Sequence, residues 1–173
     1  MSSLITRLDL EDRLTSSNVR RYAVQCSLAT FVVLVLLITL DAVTQTVLIA
    51  ALGATTFIAF AVPRSKVSSA RCLIGGYLVG MLAGTLMSSI NSSIGISDLV
   101  MSHAGLIVFG ALATGIAMFL MVITKTEHPP AAALAMGLVL NEWSGLTLCV
   151  IVGGVILLCV CKRLVLPHLM DLV

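Results

Sequence analysis

Five apolar runs of about 20 residues, Tyr22–Leu40, Val43–Val62, Cys72–Ile90, Ala104–Thr124 and Trp143–Cys161, decide what this chain can fold into. As helices at ~1.5 Å per residue, each covers the ~30 Å hydrocarbon core of a bilayer. Lipid offers backbone amides no hydrogen bonds, so only helices or closed barrels cross it. The runs lack the apolar/polar alternation of barrel strands, which leaves helices. Hydrophobic residues make up 59% of the 173 and charged residues only 10%, a composition foreign to soluble domains. The sequence predicts an all-α integral membrane protein with one compact helical domain and no separate soluble module.

A sixth run, Pro129–Leu140, has 12 residues and would cover only about 18 Å as a helix. Short or broken helices mark substrate sites in transporters, so the shortfall is itself informative. Basic residues then set the topology. Arg7, Arg13, Arg20 and Arg21 precede the first run; Arg64, Lys66 and Arg71 follow the second; Lys125 follows the fourth; Lys162 and Arg163 follow the last. With six crossings and a cytoplasmic N-terminus, all ten lie inside, and the other side carries Asp41, Asp98 and Glu142. A re-entrant Pro129–Leu140 would put Lys162 and Arg163 outside, so six crossings with both termini cytoplasmic are expected. The short run is expected to cross as a helix completed by less regular backbone. The implied divisions are a cytoplasmic segment over 1–21, a transmembrane domain over 22–166 and a tail over 167–173. Within the first, Leu4–Leu14 reads as an interfacial helix or a frayed end. It is no secretory signal, because Asp9, Glu11 and Asp12 interrupt its basic residues.

The two halves of the chain resemble each other. Cys72-Leu73-Ile74-Gly75-Gly76 recurs approximately as Cys149-Val150-Ile151-Val152-Gly153-Gly154. Upstream, Gly53-Ala54-Thr55-Thr56 stands at nearly the same offset as Pro130-Ala131-Ala132-Ala133. Small residues recur by chance in membrane helices, so coincidence stands beside duplication. A duplication would make two inverted three-helix repeats, with a site where the second helix of each meets the other. In the third run Gly76, Gly80 and Gly84, then Ser88, fall every four residues. Such a ridge lets another backbone come close, within the chain or in a second copy of a homo-oligomer. Trp143 and Tyr22, at run ends, suit interfacial anchoring. Cys26, Cys72, Cys149, Cys159 and Cys161 read as packing residues, and no metal or cofactor is expected.

Lys125-Thr126-Glu127-His128-Pro129-Pro130-Ala131 is the stretch that could carry chemistry. Ionisable residues beside a short apolar helix are costly in a membrane and are read first as functional. A water-facing loop, or prolines that merely start a helix, would account for them equally well. If the helix starts at Pro129, its amide end favours an anion, with Ala131 small enough to admit one. Thr124, Thr126 and His128 would donate hydrogen bonds, and Lys125 would attract at longer range. His128 could take or release a proton near neutrality. Glu127 would repel an anion unless paired, with Lys125 or an arginine between Arg64 and Arg71. Across from it, Gly53 permits unwinding, and Thr55 and Thr56 would then offer hydroxyls. The alternative is a continuous helix whose threonines bond their own backbone. Arg71 is either an interfacial anchor or a source of attraction.

His128-Pro129-Pro130 followed by small residues resembles the signature of the HPP family of integral membrane proteins. So does the block from Gly53-Ala54-Thr55 through Pro63, Ser65, Arg71 and Ile74-Gly75-Gly76. Together the blocks cover roughly residues 50 to 140. Members with an assigned role are nitrite transporters, so the resemblance implies transport of a small monovalent anion, nitrite first. The chain departs from the pattern at three points. Ala131-Ala132 stand where the family often has two glycines, Tyr77 where it often has a histidine, and Ser69-Ala70 where it often has Gln-Pro. An anion channel, an intramembrane enzyme and a structural or assembly subunit are the competing readings. A non-enzymatic transporter is expected, with the lipid bilayer and a small anion as partners and no nucleic acid. A bacterial plasma membrane is the expected location.

Overall fold

The computed structural model describes residues 16–39, 46–94 and 99–171, and the fold follows from those. Among the described residues six α-helices run in order: α1 (Ser16–Thr39), α2 (Thr46–Ala61), α3 (Ala70–Ser93), α4 (Leu99–Thr124), α5 (Pro129–Leu140) and α6 (Gly145–Val165). Short 3-10 turns at Lys66–Ser68 and Leu166–His168 precede α3 and follow α6. No strand occurs among the described residues. Ala70–Ser93, His103–Thr124 and Gly145–Val165 are long and apolar enough to cross a membrane, while Leu48–Ala61 and Pro129–Leu140 are shorter apolar helices. The Leu4–Leu14 segment lies outside the described residues.

The short helix is the hub. α5 packs on α3, α4 and α2, and Ala131, Leu134, Ala135 and Leu138 on it are fully buried. A helix apolar all round belongs inside a bundle, and its ends then need protein partners instead of lipid. Pro129 and Pro130 supply a start that lacks only amides a helix leaves free anyway. At the other end Asn141 donates to the Gly137 carbonyl from its backbone N–H (3.0 Å) and its Nδ2 (2.8 Å). Irregular backbone follows until Ser144, which opens α6 with a reciprocal Ser144–Thr147 capping box. A short helix completed by irregular chain was expected at this position.

The glycine ridge of α3 is spent inside the chain. A Cβ on Gly84 would lie 2.7 Å from the Ala135 carbonyl oxygen, and one on Gly76 would lie 2.7 Å from His128 Cβ. Gly80 faces the Ala131 carbonyl more closely still. These contacts bring two backbones together as small-residue ridges do. They also remove Gly76, Gly80 and Gly84 as a contact between copies of the chain, because α5 already covers them.

Residues after the last helix are not a free tail. Leu169 is buried, and Gln25 on α1 donates from Nε2 to the carbonyls of Phe60 (2.8 Å) and Met170 (3.0 Å). Trp143 sits half-buried with its indole N–H on Ser88 Oγ at 3.1 Å, which ties it to α3. The side chain of Tyr22 lies outside the described set. Large apolar residues such as Phe57, Leu82, Ile107 and Phe119 point outward, as lipid-facing residues do.

The ridge gives a paired prediction. Gly80→Ala pushes a methyl against backbone that cannot give way and should cost about 1–3 kcal/mol by overpacking. Gly153→Ala meets nothing within 4 Å and should be neutral or stabilise α6 by up to about 1 kcal/mol. Thermal unfolding of both variants in one detergent checks this; equal midpoints would contradict the α3–α5 packing.

Candidate functional site

His128 reaches the interior because α4 ends abruptly. Lys125 donates its N–H to Val122 (3.2 Å) and Thr126 donates to Met121 (2.9 Å), the two bonds of a Schellman ending. Lys125 occupies the left-handed position with φ 55, a place where glycine is the unstrained residue. The Arg71 guanidinium donates to the Thr124 carbonyl at 3.0 Å, capping the same end with a cation. Two residues on, Pro129 requires an extended residue before it, and His128 obliges with φ −142. The chain thereby turns the imidazole under Gly76 and into the bundle.

There His128 joins a polar cluster made by three elements. Its Nε2 lies 2.9 Å from Thr55 Oγ1 on α2, and Thr55 Oγ1 lies 2.7 Å from the Tyr77 hydroxyl on α3. The His128 Nδ1 lies 3.2 Å from the Val67 carbonyl. A carbonyl only accepts, so Nδ1 carries the proton and Nε2 is the acceptor. The rings of Tyr77 and His128 tilt at 39° with centroids 5.7 Å apart. Thr55, Tyr77 and His128 are each at most 1% exposed, and all their polar atoms are partnered. That pairing makes the burial tolerable.

The other expected site residues separate into near and far. α2 is continuous through Gly53, so the chain does not unwind there. Its apolar sequence has no competing partner for freed amides, Thr56 bonds back to Leu52 at 2.9 Å, and the Thr55 oxygen lies 2.9 Å from the Ala51 carbonyl. Nothing lies within 4 Å of a Cβ on Gly53, and Ala54 is exposed, so both face away from His128. Thr56 is buried but bonds only its own helix. Ala131 is fully buried and holds the first N–H of α5, which is bonded to the His128 carbonyl at 2.9 Å. Pro129 and Pro130 have no N–H, so the first two helical positions offer an anion no amide.

A cavity of about 440 Å³ opens between α4 and α5 and is lined by Thr114, Met118, Met121, Glu127, His128 and Met136, among others. His128 therefore stands between this apolar space and the Thr55–Tyr77 pair. At its outer edge Glu127 pairs with Lys66 at 3.6 Å, not with Lys125 or an arginine. The 3-10 turn at Lys66–Ser68 brings that lysine over the loop, whereas the Lys125 backbone is fixed in the left-handed cap position and the Arg71 guanidinium is bonded to Thr124. The Glu127 carboxyl sits below the ordinary carboxylate range, first through its own backbone N–H and then through Lys66. The pair is exposed and holds the loop only weakly.

Burial, partly opposed by the Val67 carbonyl, pushes the His128 imidazole from the usual 6.5 down to about 4. It is neutral at neutral pH in this conformation, so the proton exchange near pH 7 that the sequence suggests requires the cluster to open.

Tyr77 was legible in the sequence only as a departure from a family pattern, a lost histidine. Its signal was available, because a tyrosine deep in an apolar run needs a partner for its hydroxyl. The Val67 carbonyl carried no signal. The family model described as HPP, transmembrane region, matches residues 15–165. No curated protein and no solved structure matches the chain.

The lowered imidazole fixes a pH dependence. Above pH 6.5 neither the folded nor the unfolded chain protonates His128, and its burial then costs nothing in linkage. Between about 6.5 and 4 the unfolded chain takes up a proton that the folded chain refuses, so stability falls through that window. The loss should approach about 3 kcal/mol by pH 4. His128→Asn should flatten that part of a pH series of thermal midpoints; an unchanged slope would show that other groups cause it.

Proposed function

This chain belongs to the HPP transmembrane family, and on that footing we propose that it carries a small monovalent anion, nitrite first, across the membrane. The observation that carries the reading is the Thr55–Tyr77–His128 cluster, three polar side chains from different elements held within an apolar bundle beside a cavity. Two hydroxyls and an imidazole N–H are donors without formal charge. They are suited to bind an anion that must also be released. In the occluded form the donors satisfy one another. To bind, the Tyr77 and Thr55 hydroxyls turn from their partners to the anion while His128 moves from the Val67 carbonyl.

Arg64, Lys66, Arg71 and Lys125 lie around the α4–α5 loop end and raise the local concentration of anions there. By the positive-inside rule this end is cytoplasmic, with both termini on that side in a bacterial plasma membrane. The six helices form two inverted triplets, α1–α3 and α4–α6. The direct packing of α2 on α5, the middle helix of each, supports that reading. Alternating access would rock one triplet against the other across His128. Copies that associate would do so through lipid-facing surface, since the α3 ridge is occupied.

Purified protein in vesicles under an imposed gradient tests the reading. Nitrite uptake should saturate and should exceed that of nitrate, formate and chloride. Thr55→Val and Tyr77→Phe, which keep volume and remove a hydroxyl, should each lower it about tenfold, the value of one hydrogen bond to a charged ligand. Anion flux no greater than in empty vesicles would end the transport reading. Unsaturable flux at channel rates would replace it with a pore.

A further inference from the structure

A second cavity, of about 710 Å³, lies between the start of α3 and the end of α6, away from the His128 cluster. Its lining mixes two chemistries. Arg64, Ser65 and Arg163 lie towards the start of α3 and the end of α6, and Ile74, Ile156 and Val160 lie further along those helices. Ile156 and Val160 are 45% and 49% exposed, so the apolar end opens on the lipid-facing surface. Among the described residues neither arginine side chain is ion-paired. The Asp171 carboxylate accepts from the backbone N–H of Arg64 at 3.2 Å and does not line the space.

Two further polar residues belong to the same lining. Lys162, also in the cavity wall, is 8% exposed and donates to the Ser68 carbonyl and to Ser68 Oγ at 2.6 Å. Its ammonium group is therefore held at Ser68, in the same lining as the two arginines. Ser65 Oγ is buried and, among the described residues, is the one buried side-chain oxygen or nitrogen without a hydrogen-bond partner. An unsatisfied hydroxyl in a cationic recess is a vacant hydrogen-bond position for an oxyanion.

We propose that this groove is a binding site for one anionic glycerophospholipid of the cytoplasmic leaflet. The headgroup phosphate sits between Arg64 and Arg163, the Ser65 side chain rotates from its buried position to donate to it, and an acyl chain lies along Ile74, Ile156 and Val160. The charge complementarity selects an anionic headgroup over a zwitterionic one. The continuous apolar wall selects a lipid over a free phosphate. Occupancy would clamp the start of α3 to the end of α6.

Native mass spectrometry of the delipidated full chain with phosphatidylglycerol or phosphatidylcholine of matched acyl chains tests it. One phosphatidylglycerol should be retained per chain, in clear preference to phosphatidylcholine. The double variant Arg64→Gln/Arg163→Gln should weaken retention about thirtyfold, roughly fivefold for each interfacial charge. Arg20→Gln, exposed on α1, should leave it unchanged. Val160→Trp keeps both arginines and blocks the apolar end, so it should abolish retention while the chain stays helical by circular dichroism. Equal retention of the two lipids, or full retention by the double variant, would overturn the proposal. Glycerol 3-phosphate binding as tightly as the lipid would overturn it in favour of a soluble-anion site.

Discussion

A helix of about 18 Å cannot cross about 30 Å of hydrocarbon, and the rest of this bundle is arranged around that deficit. α5 has to end inside protein, and each of its ends must find hydrogen-bond partners there. The glycine ridge of α3 makes room by letting the two backbones meet at Gly76, Gly80 and Gly84. That approach is what places His128 under α3, within reach of Tyr77. A bulkier ridge would hold α5 away and separate the imidazole from both hydroxyls. Packing of the smallest residues thus determines the position of the most polar ones.

The loop end of the bundle answers the same constraint with charge. Arg71 caps α4, Lys66 pairs with Glu127, and Lys162 is bonded to Ser68. Three cations that the topology gathers on one side are therefore already engaged with backbone, carboxylate or hydroxyl groups. The cations left without an ion pair or side-chain hydrogen bond among the described residues there, Lys125, Arg64 and Arg163, are the ones available to an incoming anion or headgroup. In the proposed transport role, attraction at this surface and binding at the His128 cluster would be separate tasks carried by separate residues.

The sequence makes helices plain and contacts between helices obscure. Pro129–Leu140 was legible to the residue, because two prolines and an asparagine punctuate it chemically. Thr55 and His128 were legible as polar groups in apolar surroundings, although they stand 73 positions apart. Gly53 misled because glycine permits unwinding without requiring it, and a helix in an apolar setting keeps its hydrogen bonds when nothing else offers to take them. The partner of Glu127 depended on where the 3-10 turn carries Lys66, which no periodicity encodes. Residues 167–173 read as a tail because the anchoring at Met170 rests on Gln25, far away in sequence.

The hydrogen count in the cluster shows what the tyrosine contributes. Nδ1–H of His128 is spent on Val67, so Nε2 needs a donor, and Thr55 has one proton to give. Tyr77 then donates to the Thr55 oxygen, and the chain of donors closes with nothing left over. Protonation of His128 places a second N–H against that oxygen, and the Thr55 proton must leave. It has somewhere to go, because the Ala51 carbonyl lies 2.9 Å from the same oxygen. Thr55 can therefore rotate its proton between His128 and its own helix without any heavy atom moving. A histidine in place of Tyr77 would add a second titrating group to the cluster. Tyrosine keeps a donor at that position and leaves His128 as the only member of the three that changes charge below pH 8.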